Sequence, residues 1–418
     1  MSYFTKIWYS DTGSLDAFSK LRTSSPEALF SMQSQYSTSP LQMEAWATWT
    51  WVTPVHDANT RMVALSCTAW TGVSYFQSYQ YSPYEPGMSQ FIALTGVMWA
   101  GVANTTVDHG YFDASNGVIF RQNGNTNLQF ILRTSTSGSV SDANIVAQSD
   151  WNIDKFDGTW VSGIALDVTK GFILVIDLQF LWMGRVRCGF DVSGVIYYAH
   201  EFMNSNVLSV PYMQTASLPI GMVVTSTGSA TTKTSYFKCA TVHSESGKLE
   251  NHGFIFSTPE NTATAGNGTR VPLIAIRPKT TFNGITNRQL LVPLSVALMV
   301  TGTSNVFWEL VIGWNYSWQT FADVNTNSGF EYASVPGTYT NLTWGVVIAS
   351  GYAWQTGGWA GWVSTANTIS IPALNSMKYP ITLNRAGAVR ALGTLTLLVT
   401  GIGATSACRW SMTYKEIR

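Results

Sequence analysis

The chain has 418 residues, of which 45% are hydrophobic and only 11% are charged, against about 25% in typical soluble domains. Its 23 basic and 23 acidic residues cancel, and no basic run stands out, which excludes a phosphate-binding surface and a nucleic-acid partner. So little charge, together with 17 tryptophans, predicts that the chain buries surface against copies of itself or against other subunits.

The longest apolar segments are too short to cross a bilayer as helices. Residues 171–184 contain Asp177, and residues 290–300 contain Pro293. The amino terminus lacks the basic start and apolar stretch of a signal peptide. We therefore expect no membrane insertion. We also expect the protein to stay in the cytoplasm where it is made until assembly or lysis.

Cysteine spacing predicts neither a disulfide framework nor a metal site, because no two of the four cysteines stand at ligand spacing. They are Cys67, Cys188, Cys239 and Cys408. We expect them to act as small hydrophobic core residues. No cofactor is expected either.

Residues 1–43 are polar and rich in Ser, which predicts an extended amino-terminal arm. Inside the arm, Ser24 and Ser25 precede Pro26, and this start signal predicts a short helix that reaches Phe30.

Residues 44–243 carry turn dipeptides at strand-length intervals, among them Asn116-Gly117, Asn123-Gly124 and Ser193-Gly194. No sustained helical periodicity accompanies them. The spacing and length predict a jelly-roll, lectin-like β-sandwich domain of two packed sheets.

Residues 151–202 are the most informative stretch and are predicted to be β-structure throughout. From Val186 to Val192, apolar and polar residues alternate strictly, which is typical of a strand with one wet face and places Cys188 on the buried face. Ser193-Gly194 then predicts a tight hairpin. Arg185 and Arg187 share the wet face, where they hold an acidic partner, stay solvated, or pair across strands with Asp177 or Asp191, and the last two options are the commoner ones.

Residues 244–270 are polar and rich in Gly and Asn, which predicts a linker region with one short strand around Phe254. Residues 271–418 are predicted to form a second β-sandwich, with strands that include residues 273–277, 290–300 and 392–400. The expected fold is therefore all-β, with two antiparallel β-sandwich (jelly-roll, concanavalin-like) domains in tandem after the arm.

Candidate catalytic groups are few. Asp154 and Asp157 are the best carboxylate pair for Ca²⁺ binding or glycoside hydrolysis, although Asp and Gly in such loops more often form turns. His200-Glu201 is a possible base and acid, but adjacent strand residues face opposite sides of the sheet, so the two side chains cannot easily act together. Asp108-His109 is rejected as an acid–base pair for the same reason. We expect no catalytic, cofactor or metal residues.

The carboxy-terminal half contains the one stretch whose composition suits ligand contact, since alternating Gly and Trp present flat rings on turns. We predict that these rings contact either a sugar or a neighbouring subunit, and the second option is favoured because Trp is enriched at interface centres. The candidate residues are Trp344, Tyr352, Trp354, Trp359 and Trp362.

Four stretches resemble a family of β-rich virion structural proteins of tailed bacteriophages and some large DNA viruses. They are DAFSKLRTSSPEALF (16–30), PGMSQFIALTGVMWAGVANTT (86–106), the 151–202 block with MNSNVLSVPYMQTASLPI after it, and LIAIRPKTTFNGITNRQ (273–289) with GVVIASGYA and YKEIR. The resemblance implies a head, tail or fibre component. The chain departs from the family pattern at residues 160–161 and 180–183, where large apolar side chains near turns suit extra subunit contact.

Three functions follow from these observations. The favoured one is a non-enzymatic virion structural protein, assembled as a homo-oligomer, expected to be a trimer, and in contact with other virion proteins. The second is an adhesin on the virion that binds host surface glycans. The third, a particle-borne glycan hydrolase, requires an acidic cleft that the sequence does not show.

Overall fold

The computed structural model describes residues 26–49, 52–68, 70–125, 127–229, 231–245, 253–313, 320–334, 345–355, 367–370, 380–390 and 392–418. Its strands pair antiparallel, and the predicted all-β class is confirmed. Within these ranges, helix is limited to short 3₁₀ turns such as Gln148–Asp150. No helix found there has the length and apolar character that a membrane span needs.

The strands of the first half are β1 Glu27–Gln33, β2 Met43–Ala47, β3 Val55–His56, β4 Val63–Cys67, β5 Gly72–Ser78, β6 Gln90–Val97, β7 Thr105–Phe112, β8 Gly117–Asn123, β9 Asn127–Thr134, β10 Ser141–Ala147, β11 Phe172–Leu178, β12 Val186–Val192, β13 Val195–Phe202, β14 Ile220–Ser226 and β15 Lys233–Ser244. Those of the second half are β16 Phe254–Ser257, β17 Asn261–Ala265, β18 Val271–Pro278, β19 Thr281–Phe282, β20 Ile285–Thr286, β21 Leu290–Val300, β22 Val306–Ile312, β23 Ala322–Asp323, β24 Phe330–Ser334, β25 Val346–Ala353, β26 Asn367–Ser370, β27 Leu395–Gly401 and β28 Ser406–Ile417.

Strands β1 to β15 form two sheets that face one another. Sheet 1 has the order β13-β12-β11-β6-β15-β4-β3, with β1 also paired to β15, and sheet 2 has the order β10-β9-β8-β7-β14-β5-β2. Alternation along each strand places every second residue between the sheets, as in β6, where buried and half-buried residues alternate. Aromatic rings fill the space, and Phe120 of sheet 2 meets Phe190 of sheet 1 edge-on at 5.2 Å.

Strands β16 to β28 form a second sandwich with its own core. Sheet 3 has the order β16-β28-β21-β26, with β17 also on β28, and sheet 4 has the order β23-β24-β18-β27-β22-β25. Strands β19 and β20 form a separate ribbon. The core between sheets 3 and 4 contains Trp308, Trp410 and Tyr414 and is distinct from that of the first sandwich.

The tight hairpin at Ser193-Gly194 is confirmed. Ser193 and Gly194 have φ of 58° and 86° and join β12 to β13 directly, and the Asp191 carboxylate accepts a hydrogen bond from Gly194 N at 2.8 Å. Positive φ at both central positions belongs to the turn type whose twist matches the two strands. The same geometry recurs at Asn283-Gly284, between β19 and β20.

The short helix predicted to reach Phe30 is wrong. Residues 27–33 form β1, which pairs along β15 from Ser244 to Cys239 and buries Phe30 and Met32. A capping signal acts within a few residues and is weak, whereas pairing with a long neighbouring strand satisfies backbone groups and buries side chains together.

The expectation of β-structure throughout residues 151–202 is also wrong for its first part. Residues 151–171 consist of turns, with one isolated bridge between Asp157 and Ala165. The reason is local, because carboxylates here accept hydrogen bonds from backbone N–H groups two residues ahead, as Asp167 does from Thr169 N at 3.0 Å. This Asx-turn geometry replaces the hydrogen bonds of a sheet.

The predicted linker contains more pairing than one short strand. From residue 253 onward the structure describes this region, and both β16 and β17 pair with β28. The carboxy-terminal part of residues 244–270 therefore belongs to sheet 3. The domain boundaries themselves stay a prediction.

The two halves contact each other through the loop of residues 380–390. Arg385 donates its backbone N–H to Glu44 Oε2 at 2.8 Å and its guanidinium to the Gln77 amide oxygen. The same guanidinium lies 5.0 Å from the centre of the Tyr75 ring. A loop of the second half thus covers part of the outer face of sheet 2, beside edge strand β2.

Candidate functional site

The predicted aromatic site is described only in part, because Trp344, Trp359 and Trp362 lie outside the described residues. Tyr352 and Trp354 lie at the end of β25, where both are exposed. The Tyr352 ring packs on Phe307 of neighbouring β22, with ring centres 5.2 Å apart. Trp354 is 68% exposed. These two rings are available for contact, and what they contact stays a prediction.

The carboxylates of Asp154 and Asp157 make turn hydrogen bonds rather than converging on a site. Asp154 accepts from Phe156 N at 2.8 Å and from Ser162 N at 3.1 Å. Asp157 accepts from the backbone and hydroxyl of Thr159, and these bonds hold the pKa of Asp157 below its usual value. No group of three or more potential metal-binding side chains occurs among the residues that the structure describes.

The two acid–base dipeptides diverge as expected from strand geometry. His200 is buried, its Nδ1 accepts from Asn152 N at 3.3 Å, and burial lowers its pKa to about 4. The Glu201 carboxylate points the other way, 3.8 Å from Arg185. Asp108 likewise pairs with Arg121 at 2.6 Å on the outer face of sheet 2, whereas His109 enters the core.

A pocket of about 680 Å³ opens at one end of sheet 1. Five chain segments converge there, because the sheet order places their strand ends side by side. They are the residues before β6, the end of β11, the β11–β12 turn, the residues after β13 and Glu245 after β15. The lining residues are Tyr84, Gly87, Met88, Ser89, Asp177, Gln179, Leu181, Met183, Gly184, Arg185, Arg187, Met203, Asn204, Ser205 and Glu245.

Charged side chains form a row across three strands at this pocket. Asp177 of β11 stands directly opposite Arg187 of β12, which stands opposite Glu201 of β13. Arg187 donates to Asp177 Oδ2 through Nε at 2.9 Å and also through Nη2. Of the alternatives that the sequence left open for this pair of arginines, the structure shows cross-strand pairing with Asp177 for Arg187, while Arg185 lies nearest to Glu201.

Tyr198 of β13 supports the ion pair. Its ring lies 4.3 Å from the centre of the Arg187 guanidinium, and its hydroxyl donates to Asp177 Oδ2 at 3.4 Å. Burial opposes the charge of Arg187, but hydrogen bonding and the charge of Asp177 outweigh it and hold the pKa of the guanidinium above its usual value. The pair is therefore held in one orientation at the pocket wall.

The β11–β12 turn shapes the pocket mouth. Leu181 and Trp182 have φ of 34° and 64°, a left-handed conformation that side-chain-bearing residues rarely adopt, and both side chains are exposed. Tyr84 accounts for part of this geometry, because its hydroxyl accepts from Leu181 N at 3.0 Å. Asn204 adds a second brace by donating to Gly184 O at 2.8 Å.

The turn depends on glycine at position 184. A Cβ there would stand 1.7 Å from the carbonyl oxygen of Gln179. We expect Gly184→Ala to lower the free energy of unfolding by about 2 kcal/mol and to rearrange the turn. Chemical denaturation measures the effect, and Gly171→Ala is the matched control because nothing lies within 4 Å of its added Cβ. Equal stability of the two variants would contradict this geometry.

Sequence reasoning missed the pocket, although it identified Arg185, Arg187 and Asp177. Its other walls come from segments that are remote in the chain, and no local signal marks Ser89, Asn204 or Glu245 as neighbours.

No protein-family model matches the chain, and no curated protein matches it. Solved structures match about half of it. They include the CBM2 module of the evolved Dit of Lactobacillus casei BL23 phage J-1, with 8% identity, a TM-score of 0.33, and coverage of 54% of this chain and 99% of that one. Lectin I-B4 from Griffonia simplicifolia has 11% identity, a TM-score of 0.31 and coverage of 51% and 98%. The Bacillus licheniformis β-glucanase has 12% identity, a TM-score of 0.35 and coverage of 51% and 97%. These values are too low to support an inference about ligand or activity.

Proposed function

We propose that the chain is a non-enzymatic structural protein of a virus particle, assembled through its β-domains as a homo-oligomer of three copies and in contact with other virion proteins. The observation that carries this proposal is the exposure of tryptophan. Of the ten tryptophans that the structure describes, only Trp151, Trp308 and Trp410 are buried, and the other seven are at least 36% exposed. Trp is ordinarily among the more buried residues, so this surface suits contact with protein.

Three of the exposed rings lie together at one end of the first sandwich. Trp49 Nε1 donates to Thr71 O at 3.4 Å, which brings Trp49 beside the turn that carries Trp70. Trp46 lies on the adjoining edge strand β2, stacked on Tyr75 at 5.4 Å. We call Trp46, Trp49 and Trp70 the tryptophan cluster. The occupant that we propose for it is a second copy of the chain, because a formal net charge of zero leaves little repulsion between copies.

The oligomer is tested by sedimentation or light scattering of the purified full chain at micromolar concentration. We expect a trimer, and we expect the double substitution of Trp49→Ser and Trp70→Ser to dissociate it. Val140→Ser is the matched control, since Val140 is 55% exposed and precedes β10, which lies at the opposite edge of sheet 2 from β2. The cluster lies near the start of β15, where Lys233 pairs with Cys67. A wild-type chain that remains monomeric would contradict the proposed assembly.

The particle assignment is tested by cryo-electron microscopy of the virion. The proposal expects density for both sandwiches in repeated copies, and a particle map in which neither sandwich can be placed would reject the assignment.

A host-glycan adhesin is the second candidate function, and the exposure of Tyr352 and Trp354 favours it. Trp354→Ala distinguishes the two functions: loss of host adsorption with intact oligomers supports an adhesin, and loss of oligomers supports subunit packing. Enzymatic activity is not part of either proposal. Glycan cleavage that Asp154→Asn or Asp157→Asn abolishes would overturn the non-enzymatic assignment.

A further inference from the structure

The pocket at the end of sheet 1 presents hydrogen-bonding groups that the fold positions but does not use. Asp177 makes its bonds through Oδ2, which leaves Oδ1 without a partner among the described residues. Glu245 accepts from the Ser89 hydroxyl through Oε2 at 2.6 Å. The described residues offer no hydrogen bond to the guanidinium of Arg185 or the side-chain amide of Gln179 either. Asp177 Oδ1, the Gln179 amide and the Arg185 guanidinium, which lies 3.8 Å from Glu201, thus face one cavity without a hydrogen bond from the described residues.

The charges of the pocket balance. Two guanidinium groups, of Arg185 and Arg187, and two carboxylates, of Asp177 and Glu245, line it. A net charge near zero gives no general attraction for an anion or a cation. The pocket wall instead presents both hydrogen-bond donors and acceptors, so it suits a ligand whose groups can both donate and accept. Hydroxyl groups do both.

The mouth of the pocket adds apolar surface. Tyr84, Leu181, Met183 and Met203 line it, and the left-handed turn holds Leu181 outward. Such surface suits the C–H faces of a ring that carries hydroxyl groups around its edge. The cavity volume lies in the range of small-molecule sites, about 300–1,000 Å³. Backbone strain of this kind clusters at ligand sites, where it positions contacts in advance.

We infer that this pocket binds an uncharged polyhydroxylated ligand, a short saccharide, with Asp177 and Glu245 accepting from its hydroxyl groups and Arg185 and Gln179 donating to its oxygens. The site lies in the first sandwich, apart from the Tyr352 and Trp354 surface of the second. The inference does not depend on the particle assignment, and the site lies at the opposite end of the sandwich from the tryptophan cluster.

The test is saturation-transfer-difference NMR on the purified full chain with lactose, maltose, cellobiose and N,N′-diacetylchitobiose as probes. We expect transfer to at least one of the four. Arg185→Ala and Gln179→Ala are each expected to weaken that binding by about tenfold, since each removes one hydrogen-bond donor. Lys170→Ala is the matched control, because Lys170 is an exposed cation whose partner, at 3.4 Å, is Asp167.

Three results would overturn the inference. The first is the absence of transfer to any of the four probes. The second is sugar binding that Arg185→Ala and Gln179→Ala leave unchanged, which places the sugar at another surface such as Tyr352 and Trp354. The third is preferential binding of a charged probe, inorganic phosphate or free glycine, that none of the four sugars displaces from the wild-type chain. None of these results bears on the trimer measurement, so the two proposals fail separately.

Discussion

Replacing Cys188 by Asp is expected to lower the free energy of unfolding by about 4 kcal/mol or more, because a carboxyl group enters an apolar layer without a partner. Cys188 is fully buried in the core of the first sandwich, between Val186 and Phe190 on the same strand face. Burial also raises the pKa of its thiol. The alternation of residues 186–192 predicted this burial, and the structure confirms it.

Denaturant unfolding of the wild type and the variant measures the change. Val195→Asp is the matched control on the same hairpin, because Val195 is 51% exposed and a carboxylate there stays in water. Comparable losses in the two variants would argue against burial as the cause. Rapid thiol labelling of Cys188 in the native protein would contradict the assignment directly.

Acidification is expected to destabilise the first sandwich through His109. The ring is fully buried between Phe172 and Phe237, each 5.5 Å away, and neither ring nitrogen has a hydrogen-bond partner in the described part of the chain. Burial lowers the pKa of His109 to about 3 from an ordinary value of 6.5. As the pH falls from 6.5 towards 3, the unfolded chain binds a proton that the folded chain does not. The free energy of unfolding therefore falls across this window, by on the order of 4 kcal/mol in total.

The measurement is denaturant unfolding of the wild type and of His109→Leu between pH 7 and pH 4. Carboxylates change stability in both proteins, so the difference between them isolates the histidine. We expect that difference to shift in favour of the variant as the pH falls, and parallel pH profiles would refute the role of His109. If the variant does not fold, NMR of the native imidazole provides a second measurement, since protonation of the folded state near pH 6 would equally contradict burial.

Most strand positions in this chain can be predicted from its sequence. The apolar run of residues 290–300 coincides with β21, and the Ser193-Gly194 turn joins β12 to β13 as predicted. These features depend on side-chain alternation and on glycine at positive φ, which act within a few residues. The helix predicted to reach Phe30 failed for the same reason, because a local capping signal competes poorly with pairing along β15.

Less of the candidate site than of the strand positions could be predicted from the sequence. Of the five aromatic residues predicted to contact a ligand or a subunit, the structure describes Tyr352 and Trp354, and it shows both at the surface. The pocket was not foreseen, although pairing of Arg187 with Asp177 was one of the alternatives that the sequence left open. Its formation requires the start of β6 to lie between the ends of β11 and β15, and no short-range pattern encodes that neighbourhood.

The sequence by itself determined the all-β class, the low surface charge, the position of most strands and the burial of Cys188, because hydrophobic alternation and turn chemistry are local properties. Only the tertiary structure decided which strands are neighbours, that residues 151–171 are turns, that His109 lies between two aromatic rings, and that Asp177, Arg185 and Glu245 share a cavity. These outcomes depend on contacts between residues that are distant in the chain. Burial and sheet pairing select such contacts over the whole fold, beyond the reach of local propensity.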